Sequence, residues 1–284
     1  MKIEFLGSGG AITTPRPGCQ CALCLRARRE GAPVSRSGPS LYVHGPELLI
    51  DTPEESAMQL NRAGIGPVPH AVYSHWHPDH IAGRRVFEMN VDWHHWPPQN
   101  RVTEIYLPQQ VAADFRKRLG MWEALTYMEG LGIVRLCLLE DGEHFTLNGV
   151  RILPFRLAAD YVYAFLVEEG KKRVLIAPDE LVGWEPPDWL RGVDVAVIPM
   201  GIHEFDPFSG ERRIPAEHPV LQSEATFLQT VEMALTLDAG QIYMTHIEEA
   251  EQVGPERLEL LAEKLLAEEG LPVTFAYDTL MVEI

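Results

Sequence analysis

The chain has 284 residues, of which 46% are hydrophobic and 23% are charged, an ordinary composition for a globular protein. Its 41 acidic and 24 basic residues give a formal net charge of −17, which repels polyanions at long range and disfavours a nucleic-acid polymer as partner. No apolar run of about 18 residues occurs, so no membrane-crossing helix is predicted. Because the first residues lack the apolar core of a signal peptide, we expect a cytoplasmic protein.

The first half of the chain is predicted to form strands joined by short turns, because short apolar runs alternate with Gly-Pro and Gly-Gly pairs. The predicted strands are residues 2–6, 40–44, 47–51, 71–74 and 102–107. Helical spacing of apolar residues predicts helices at 54–63, 81–89 and 109–130. Residues 90–100, which are rich in Trp, His and Pro, are predicted to be irregular.

The second half of the chain is also predicted to consist of short strands with interspersed helices. Its predicted strands are residues 133–139, 149–154, 163–168, 173–177, 193–199, 242–245 and 273–284, and its predicted helices are 224–237 and 255–268. Each half of the chain thus has strands with interspersed helices. This repeated pattern predicts an α/β (α+β) fold in which two sheets pack together with helices outside. No linker is long or polar enough to divide the chain, so we predict a single domain over residues 1–284.

The strongest chemical signal follows the predicted strand at 71–74, where His75, His77, Asp79 and His80 place four potential metal ligands within six residues. Imidazole and carboxylate groups suit Zn²⁺, Mn²⁺ and Fe²⁺, and a loop at a strand end allows such groups to converge. The alternative is a surface loop that happens to be rich in histidine. The close H-x-H-x-D-H spacing favours a metal site.

This motif, followed later by an aspartate and a histidine at strand ends, resembles the metallo-β-lactamase superfamily over nearly the whole chain. Phe5–Gly10 resembles the opening strand and glycine turn of the family, and Ile50-Asp51 resembles its strand that ends in an aspartate. Asp179 follows an apolar strand, as the bridging carboxylate of the family does, and His246 ends a strand as the last histidine ligand does. The resemblance implies a four-layer αβ/βα sandwich.

The resemblance also implies a centre for two divalent ions, zinc or manganese, with iron as a further candidate. The implied ligands are His75 and His77 for the first ion, Asp79, His80 and His246 for the second, and Asp179 as the bridge between them. Two such ions can activate water and stabilise both the attacking and the leaving oxygen. Asp51 would hydrogen-bond a ligand imidazole and fix its tautomer. A turn carboxylate without that role is the alternative for Asp51.

One position departs from the family pattern. The family supplies a further histidine to the first ion, and the corresponding position here falls near Ala159, where there is none. His75, His77 and Asp179 would still provide three ligands, enough for an open catalytic site. The residues considered as a replacement are Glu54, Asp160, His218 and Glu224, the last of which is expected to open a helix.

A second motif consists of Cys19, Cys21 and Cys24, and this crowding favours metal binding over a disulfide in a chain without a predicted secretory signal. It resembles the branch of the superfamily that contains the phosphonate-pathway cyclic phosphodiesterase and the cofactor-biosynthesis protein PqqB. That branch binds a structural zinc through these cysteines and a histidine three residues after the last ligand histidine, a place that Glu249 occupies here. The resemblance thus implies a structural zinc on three cysteines and Glu249. Three reduced thiols without metal are the alternative.

The proton donor to the leaving group is less defined by the sequence. The branch often carries a histidine near the predicted helix start at Glu224, and Ala225 occupies roughly that place. His203 and His95 remain open as donors, beside His218. We expect the catalytic residues to be Asp79, His218 and Glu224.

Three functions remain open. The first is hydrolysis of a small phosphodiester by a metal-bound hydroxide, and both the cysteine motif and the acidity favour a small-molecule substrate over long RNA. The second is hydrolysis of a thioester, lactone or other carbonyl compound by the same centre. The third is a PqqB-like, non-hydrolytic metal protein, to which the missing histidine near Ala159 lends weight. We expect no membrane partner, and a homodimer is left open.

Overall fold

The structure, a computed structural model, describes residues 1–98 and 101–284. The segment 90–100 that is predicted to be irregular therefore ends in two residues, Gln99 and Asn100, that lie outside the described residues. Among the described residues, no helix has the length and apolar character needed to cross a membrane.

The strands of the described residues form two sheets of seven strands each. The first strands along the chain are β1 (Lys2–Gly7), β2 (Ser40–His44), β3 (Leu48–Ile50), β4 (His70–Val72), β5 (Thr103–Pro108), β6 (Val134–Leu139) and β7 (Phe145–Leu147). They are followed by β8 (Val150–Arg156), β9 (Tyr163–Glu169), β10 (Lys172–Ile176), β11 (Val195–Pro199), β12 (Gln241–Thr245), β13 (Val273–Phe275) and β14 (Met281–Glu283). The order is β14-β1-β2-β3-β4-β5-β6 in the first sheet and β13-β12-β11-β10-β9-β8-β7 in the second.

The α-helices cover the outer faces of the sheets. They are α1 (Ala22–Glu30), α2 (Ser56–Ala63), α3 (Pro78–Ile81), α4 (Gln109–Phe115), α5 (Met121–Gly130), α6 (Val220–Ser223), α7 (Phe227–Leu237) and α8 (Pro255–Glu269). Helices α2, α4 and α5 pack on the first sheet, and α7 and α8 pack on the second. This arrangement is the four-layer sandwich that the sequence resemblance implies, and the expected fold class is confirmed. The assignment of residues 1–284 to one domain stays a prediction.

The central core lies between the two sheets. Phe5 and Val43 of the first sheet and Phe165 and Val174 of the second are fully buried in one apolar cluster. Full burial of each such side chain contributes about 1.5–3 kcal/mol. The apolar contact between the sheets thus fixes the distance between the two edges that carry the sequence-predicted metal ligands.

Two predicted helices are wrong in their extent. The segment 81–89 is not one helix, because α3 ends at Ile81 and a 3₁₀ helix covers Arg84–Asn90. Between them, the backbone N–H of Gly83 donates to the carbonyl of Thr52 at 2.8 Å, which draws the chain out of helical geometry. The segment 109–130 is divided into α4 and α5, because Leu119 and Gly120 both adopt positive φ angles, of 56° and 60°.

The predicted final strand, 273–284, is also wrong as a single element. Strand β13 pairs with β12 in the second sheet, whereas β14 pairs with β1 in the first. Between them, Thr279 adopts a φ of 78° at the turn that carries the chain from one sheet to the other. The sequence analysis also missed α1, β7 and the short α6.

Candidate metal centre

The sequence-predicted metal ligands, and Asp51 that is expected to support them, lie at the carboxyl ends of strands in both sheets. Asp51 directly follows β3, and His75 lies shortly after β4. In the second sheet, Asp179 lies shortly after β10 and His246 directly follows β12. β3 and β4 run parallel to each other, as do β10, β11 and β12. Because parallel strands present their carboxyl ends at one edge of a sheet, their loops can bring these side chains together.

Four of these residues form a first group of possible ligands, here named the Asp79 group: Asp79, His80, Asp179 and His246. One ligand atom from each lies within 4.8 Å of all the others. The Nε2 atom of His80 lies 3.4 Å from Oδ2 of Asp79, and Nε2 of His246 lies 3.5 Å from the same oxygen. Asp179 completes the group, with its Oδ1 3.5 Å from Nε2 of His246.

A second set, here named the His77 group, consists of His75, His77, Asp179 and Glu180 and obeys the same 4.8 Å limit. Nε2 of His75 lies 3.6 Å from Oδ2 of Asp179, and Nδ1 of His77 lies 3.0 Å from Oε1 of Glu180. Asp179 belongs to both groups and uses a different oxygen toward His75 than toward His246. A single carboxylate is therefore placed to join two adjacent ion sites.

The geometry of both groups fits divalent cations. Nitrogen and oxygen ligands lie about 2.0–2.2 Å from a tetrahedral Zn²⁺, so neighbouring ligand atoms are about 3.4 Å apart. The nitrogen-to-oxygen distances of 3.4–3.6 Å made by His75, His80 and His246 match that spacing and are long for hydrogen bonds, whereas the 3.0 Å between His77 and Glu180 is a hydrogen-bond distance. The Nε2 atoms of His75, His80 and His246 are buried and have no hydrogen-bond partner among the described residues. Buried polar atoms are normally satisfied, and a shared cation is the partner that these three atoms fit.

Burial and neighbouring charges set the protonation of the group members. Burial, reinforced by neighbouring His80, holds the pKa of His75 well below its ordinary value, which keeps the ring in the neutral form that binds metals. Burial would also lower the pKa of His246, but the charge of Asp179 outweighs it and raises that pKa to about 10. Burial would raise the pKa values of Asp79 and Asp179, yet the nearby imidazoles lower both. Both are carboxylates at neutral pH and favour a cation.

Asp51 contacts His80 through Nδ1, the ring nitrogen that does not face the Asp79 group. Its Oδ2 lies 2.8 Å from Nδ1 of His80 and accepts a hydrogen bond from Oγ of Ser74 at 2.6 Å. Its Oδ1 accepts the backbone N–H of Ser74 at 2.8 Å. Asp51 adopts a φ of 60°, a strained conformation for a residue other than glycine. A carboxylate that holds Nδ1 of His80 fixes the tautomer that presents Nε2 to a metal.

Glu180 is the residue that the sequence analysis missed. None of the proposed replacements for the missing histidine, namely Glu54, Asp160, His218 and Glu224, belongs to either group. Glu180 is buried, follows Asp179 directly and adopts a φ of 48°, which turns its carboxylate toward His77. The available signal was the pair of adjacent acids at a strand end. The hydroxyl of Tyr161, in the turn beyond Ala159, donates a hydrogen bond to Glu180.

A cavity of about 450 Å³ opens beside the Asp79 group, and Asp179 and His246 form part of its wall. Glu224 and His218 also line it, which places both sequence-predicted candidates near the centre. Burial, together with the charge of Asp179, raises the pKa of Glu224 to about 7. His218 is exposed, and its Nδ1 accepts the backbone N–H of Val220 at 3.1 Å.

The expectation that Glu224 opens a helix is wrong. Glu224 has an extended backbone at the C-terminus of α6, and Thr226 is the N-cap of α7. The side chains of Thr226 and Gln229 form a reciprocal capping box, which sets the helix start two residues after Glu224. Glu224 is therefore held in a connection that faces the cavity.

The other two histidines considered as proton donors are engaged elsewhere. His203 is buried, and its Nδ1 lies 2.7 Å from Oε2 of Glu251. His95 is exposed, and its Nδ1 lies 3.0 Å from Oδ2 of Asp92. Neither histidine lies in the cavity wall among the described residues.

The three clustered cysteines form a separate group with Glu249. Oε1 of Glu249 lies 3.6 Å from Sγ of Cys19, 3.6 Å from Sγ of Cys21 and 3.1 Å from Sγ of Cys24. Backbone N–H groups donate to all three sulfurs, and Cys21 caps the N-terminus of α1. The backbone donor from Cys24 lowers the pKa of Cys21 and favours its thiolate, the form that binds zinc, whereas burial raises the pKa of Cys24 to about 12. The residues that the resemblance implies for a structural zinc are thus brought together.

Comparisons with solved structures place this architecture among known proteins. A diphosphatase from the PhnP family is 22% identical, with a TM-score of 0.69 over 100% of this chain and 97% of that one. PqqB from Methylobacterium extorquens, in its zinc-bound form, is 14% identical, with a TM-score of 0.71 over the full length of both chains. The short form of human tRNase Z is 16% identical, with a TM-score of 0.62 over 100% of this chain and 99% of that one. At these identities the likeness shows the fold.

The sequence comparisons give the family. A search of curated protein sequences found no match. A family model described as the beta-lactamase superfamily domain matches residues 46–247, more than half of the chain, and this span contains both ligand groups. The fold, the placement of the ligand groups and this match agree, and the chain belongs to the beta-lactamase superfamily domain family.

Proposed function

We propose that this protein is a metal-dependent hydrolase that cleaves a small phosphodiester. The observation that carries the proposal is the pair of ligand groups that share Asp179, beside a cavity of about 450 Å³. A diphosphatase and a tRNase among the solved structures of this fold support a phosphorus-centred reaction. The volume of the cavity supports a small substrate.

Two divalent ions, zinc or manganese, would supply charge neutralisation at the phosphate and activation of water. The residues that would hold them are His75, His77 and Glu180 for one ion and Asp79, His80 and His246 for the other, and Asp179 belongs to both groups. Asp51 keeps His80 in the orientation that this requires. These groups sit on short connections from strand ends, so the core between the sheets fixes their separation.

Glu224 is the proposed proton donor to the leaving oxygen. It lines the cavity together with Asp179 and His246, so an ester group in the cavity lies within its reach. Burial is the larger cause of its raised pKa of about 7, and a carboxyl group of that pKa is protonated often enough at neutral pH to act as a general acid. His218, at the exposed rim of the same cavity, is the second candidate.

The proposal is tested by turnover of bis(p-nitrophenyl) phosphate and of an acyl thioester by the zinc- or manganese-loaded protein. We expect hydrolysis of the diester and no hydrolysis of the thioester above background. Asp79→Ala and Asp179→Ala should each abolish diester hydrolysis, because each removes a ligand of the Asp79 group. Glu123→Ala, a change at an exposed residue outside both groups, serves as the control. Thioester hydrolysis without diester hydrolysis, or one redox-active iron per chain without hydrolysis, would refute the proposal.

A further inference from the structure

The cavity beside the Asp79 group has a largely apolar lining. Asp179 and His246 lie at its metal-binding end, and the apolar lining residues include Ile12, Leu181, Ile202, Ile214, Pro215 and Val220. Leu181 and Ile202 are buried, so this lining is part of the packed interior. An uncharged aryl or alkyl group placed here gains about 25 cal/mol for each Å² of apolar surface removed from water.

The charged residues of this cavity are mainly acidic. Outside the ligand groups, its lining contains the carboxylates of Glu248 and Glu251, the guanidinium of Arg213 and the carboxyl group of Glu224. A second anionic group on a substrate would meet an excess of negative charge, which costs most in a partly enclosed cavity.

The single guanidinium among the described residues of the lining already forms hydrogen bonds within the protein. Nη1 of Arg213 donates to Oε2 of Glu251 at 3.2 Å, and Nη2 donates to the carbonyl of the same residue at 3.1 Å. Glu251 also contacts Nδ1 of the buried His203. To bind a substrate anion, Arg213 would have to leave a carboxylate that is itself buried.

Glu248 is also held in place by backbone hydrogen bonds. Its two carboxylate oxygens accept the backbone N–H groups of Ala11 and Ile12, both at 2.8 Å. The described lining therefore consists of apolar surface and of carboxylates that are hydrogen-bonded within the protein, and its guanidinium is paired with Glu251.

From this arrangement we infer that the substrate is a phosphodiester that carries its negative charge only at the scissile phosphate and inserts an uncharged, largely apolar organic group into the cavity. The inference rests on the proposed function and names its substrate class. It excludes diesters whose organic group bears a second phosphate or a carboxylate.

The test compares symmetric diaryl phosphates, in which either ester group can occupy the cavity with the same result. Bis(4-carbamoylphenyl) phosphate and bis(4-carboxyphenyl) phosphate have nearly the same shape and differ in the charge of the ring substituent. Because the carbamoyl compound also has the better leaving group, each kcat/KM is divided by the rate constant for uncatalysed hydrolysis of the same compound. With the metal-loaded wild-type protein we expect this normalised kcat/KM for the carbamoyl compound to exceed that for the carboxy compound by about tenfold or more. Equal values, or a preference for the carboxy compound, would overturn the inference and leave the proposed function standing. Failure to hydrolyse any diaryl phosphate would overturn both.

A variant locates the discrimination in the cavity. Ile214→Arg adds a cation to the apolar lining and should reduce the preference for the uncharged compound by about tenfold. Leu228→Arg adds the same charge at an exposed position outside the cavity lining and should leave the preference unchanged. Because the ratio of two substrates is measured on one preparation, a change in metal loading does not affect it. An unchanged ratio in folded Ile214→Arg would contradict the inference, and the wild-type comparison decides the matter if that variant does not fold.

Discussion

Glu180 shows how a single side chain changes the first ion site. The family pattern expects a histidine near Ala159, and the structure places the carboxylate of Glu180 3.0 Å from His77 instead. Burial alone would lower the pKa of His77, but the hydrogen bond and the charge of Glu180 outweigh it and raise that pKa. A carboxylate in place of an imidazole adds negative charge to the site and favours harder divalent ions such as manganese.

Replacing Glu180 should therefore weaken the first ion site selectively. We expect Glu180→Ala to lower the metal content by about one ion per chain and the activity by about 10–100-fold, the usual range for changes around a metal site. Elemental analysis together with diester turnover measures both effects, and Glu123→Ala again provides the control. Full metal content and full activity in Glu180→Ala would show that this carboxylate is not a ligand.

Glu224 leads to a prediction that depends on the leaving group. A general acid matters when the leaving oxygen is a poor leaving group and matters little for p-nitrophenolate. We expect Glu224→Gln to reduce kcat by about 100-fold for a dialkyl phosphodiester and to change kcat for bis(p-nitrophenyl) phosphate by less than about threefold. A second variant, His218→Asn at the rim of the cavity, tests the other candidate proton donor. If His218 is the donor, His218→Asn rather than Glu224→Gln loses activity on the dialkyl phosphodiester. Equal losses on both substrates would assign Glu224 a structural role.

At the scale of single residues, the sequence predicts most of the candidate metal centre. His75, His77, Asp79 and His80 are close together in the chain, so their spacing alone marks a metal site. Glu180 could not be found in this way, because its role depends on a φ of 48° and on contacts with His77 and Tyr161 from distant segments. Such contacts exist only after the two sheets have packed together.

The cysteine loop is the element for which we propose a structural role. It caps α1 through Cys21 and contacts Glu249, which lies close after His246. A zinc held there would connect the loop after β1 to the connection after β12. We propose this site as a structural zinc, since four protein ligands leave no open position for substrate.

Breaking this group should lower stability more than activity. Cys21→Ser should lower Tm by about 5–10 °C, which corresponds to about 3–6 kcal/mol for a chain of this size, while kcat at 25 °C changes by less than about threefold. Cys137→Ser, the same change in strand β6 outside the cluster, is the control. Thermal melts and zinc content measure the effect. An unchanged Tm with unchanged zinc content would leave the cysteine group without a structural role.

The turn after β1 also shapes the centre through a close approach. A Cβ atom at Gly10 would lie 2.8 Å from Nδ1 of His246 and nearer still to Oε1 of Glu248. We expect Gly10→Ala to displace His246 and to reduce kcat/KM by about tenfold or more, as misplacement of catalytic groups does. At Gly66, an added Cβ meets no atom within 4 Å, so Gly66→Ala is the matched control. Wild-type kcat/KM in Gly10→Ala would show that this turn does not position the histidine.

The sequence predicts the elements unevenly. Strands such as β2 and β11 are indicated well because short apolar runs mark them. Helices were extended too far where Gly83, Leu119 and Gly120 interrupt a periodic pattern through tertiary hydrogen bonds or positive φ angles. The split of residues 273–284 between two sheets is a matter of topology, which apolar patterning does not encode.

At the scale of the whole molecule, a strongly acidic protein surrounds a site proposed to bind an anionic phosphate. The net charge of −17 opposes long polyanions, so bound cations are required to draw a phosphodiester to the centre. The same balance extends into the cavity, where carboxylates outnumber the one guanidinium. The net charge of the protein and the charges of the cavity lining both favour a small substrate with one anionic group.

The most direct test of the two-metal centre is anomalous diffraction from crystals of the protein grown with zinc. We expect two peaks about 3.5–4 Å apart, one among His75, His77 and Glu180 and the other among Asp79, His80 and His246, with Asp179 contacting both. Crystals that show no peak in either group, with these side chains turned away from one another, would contradict the account.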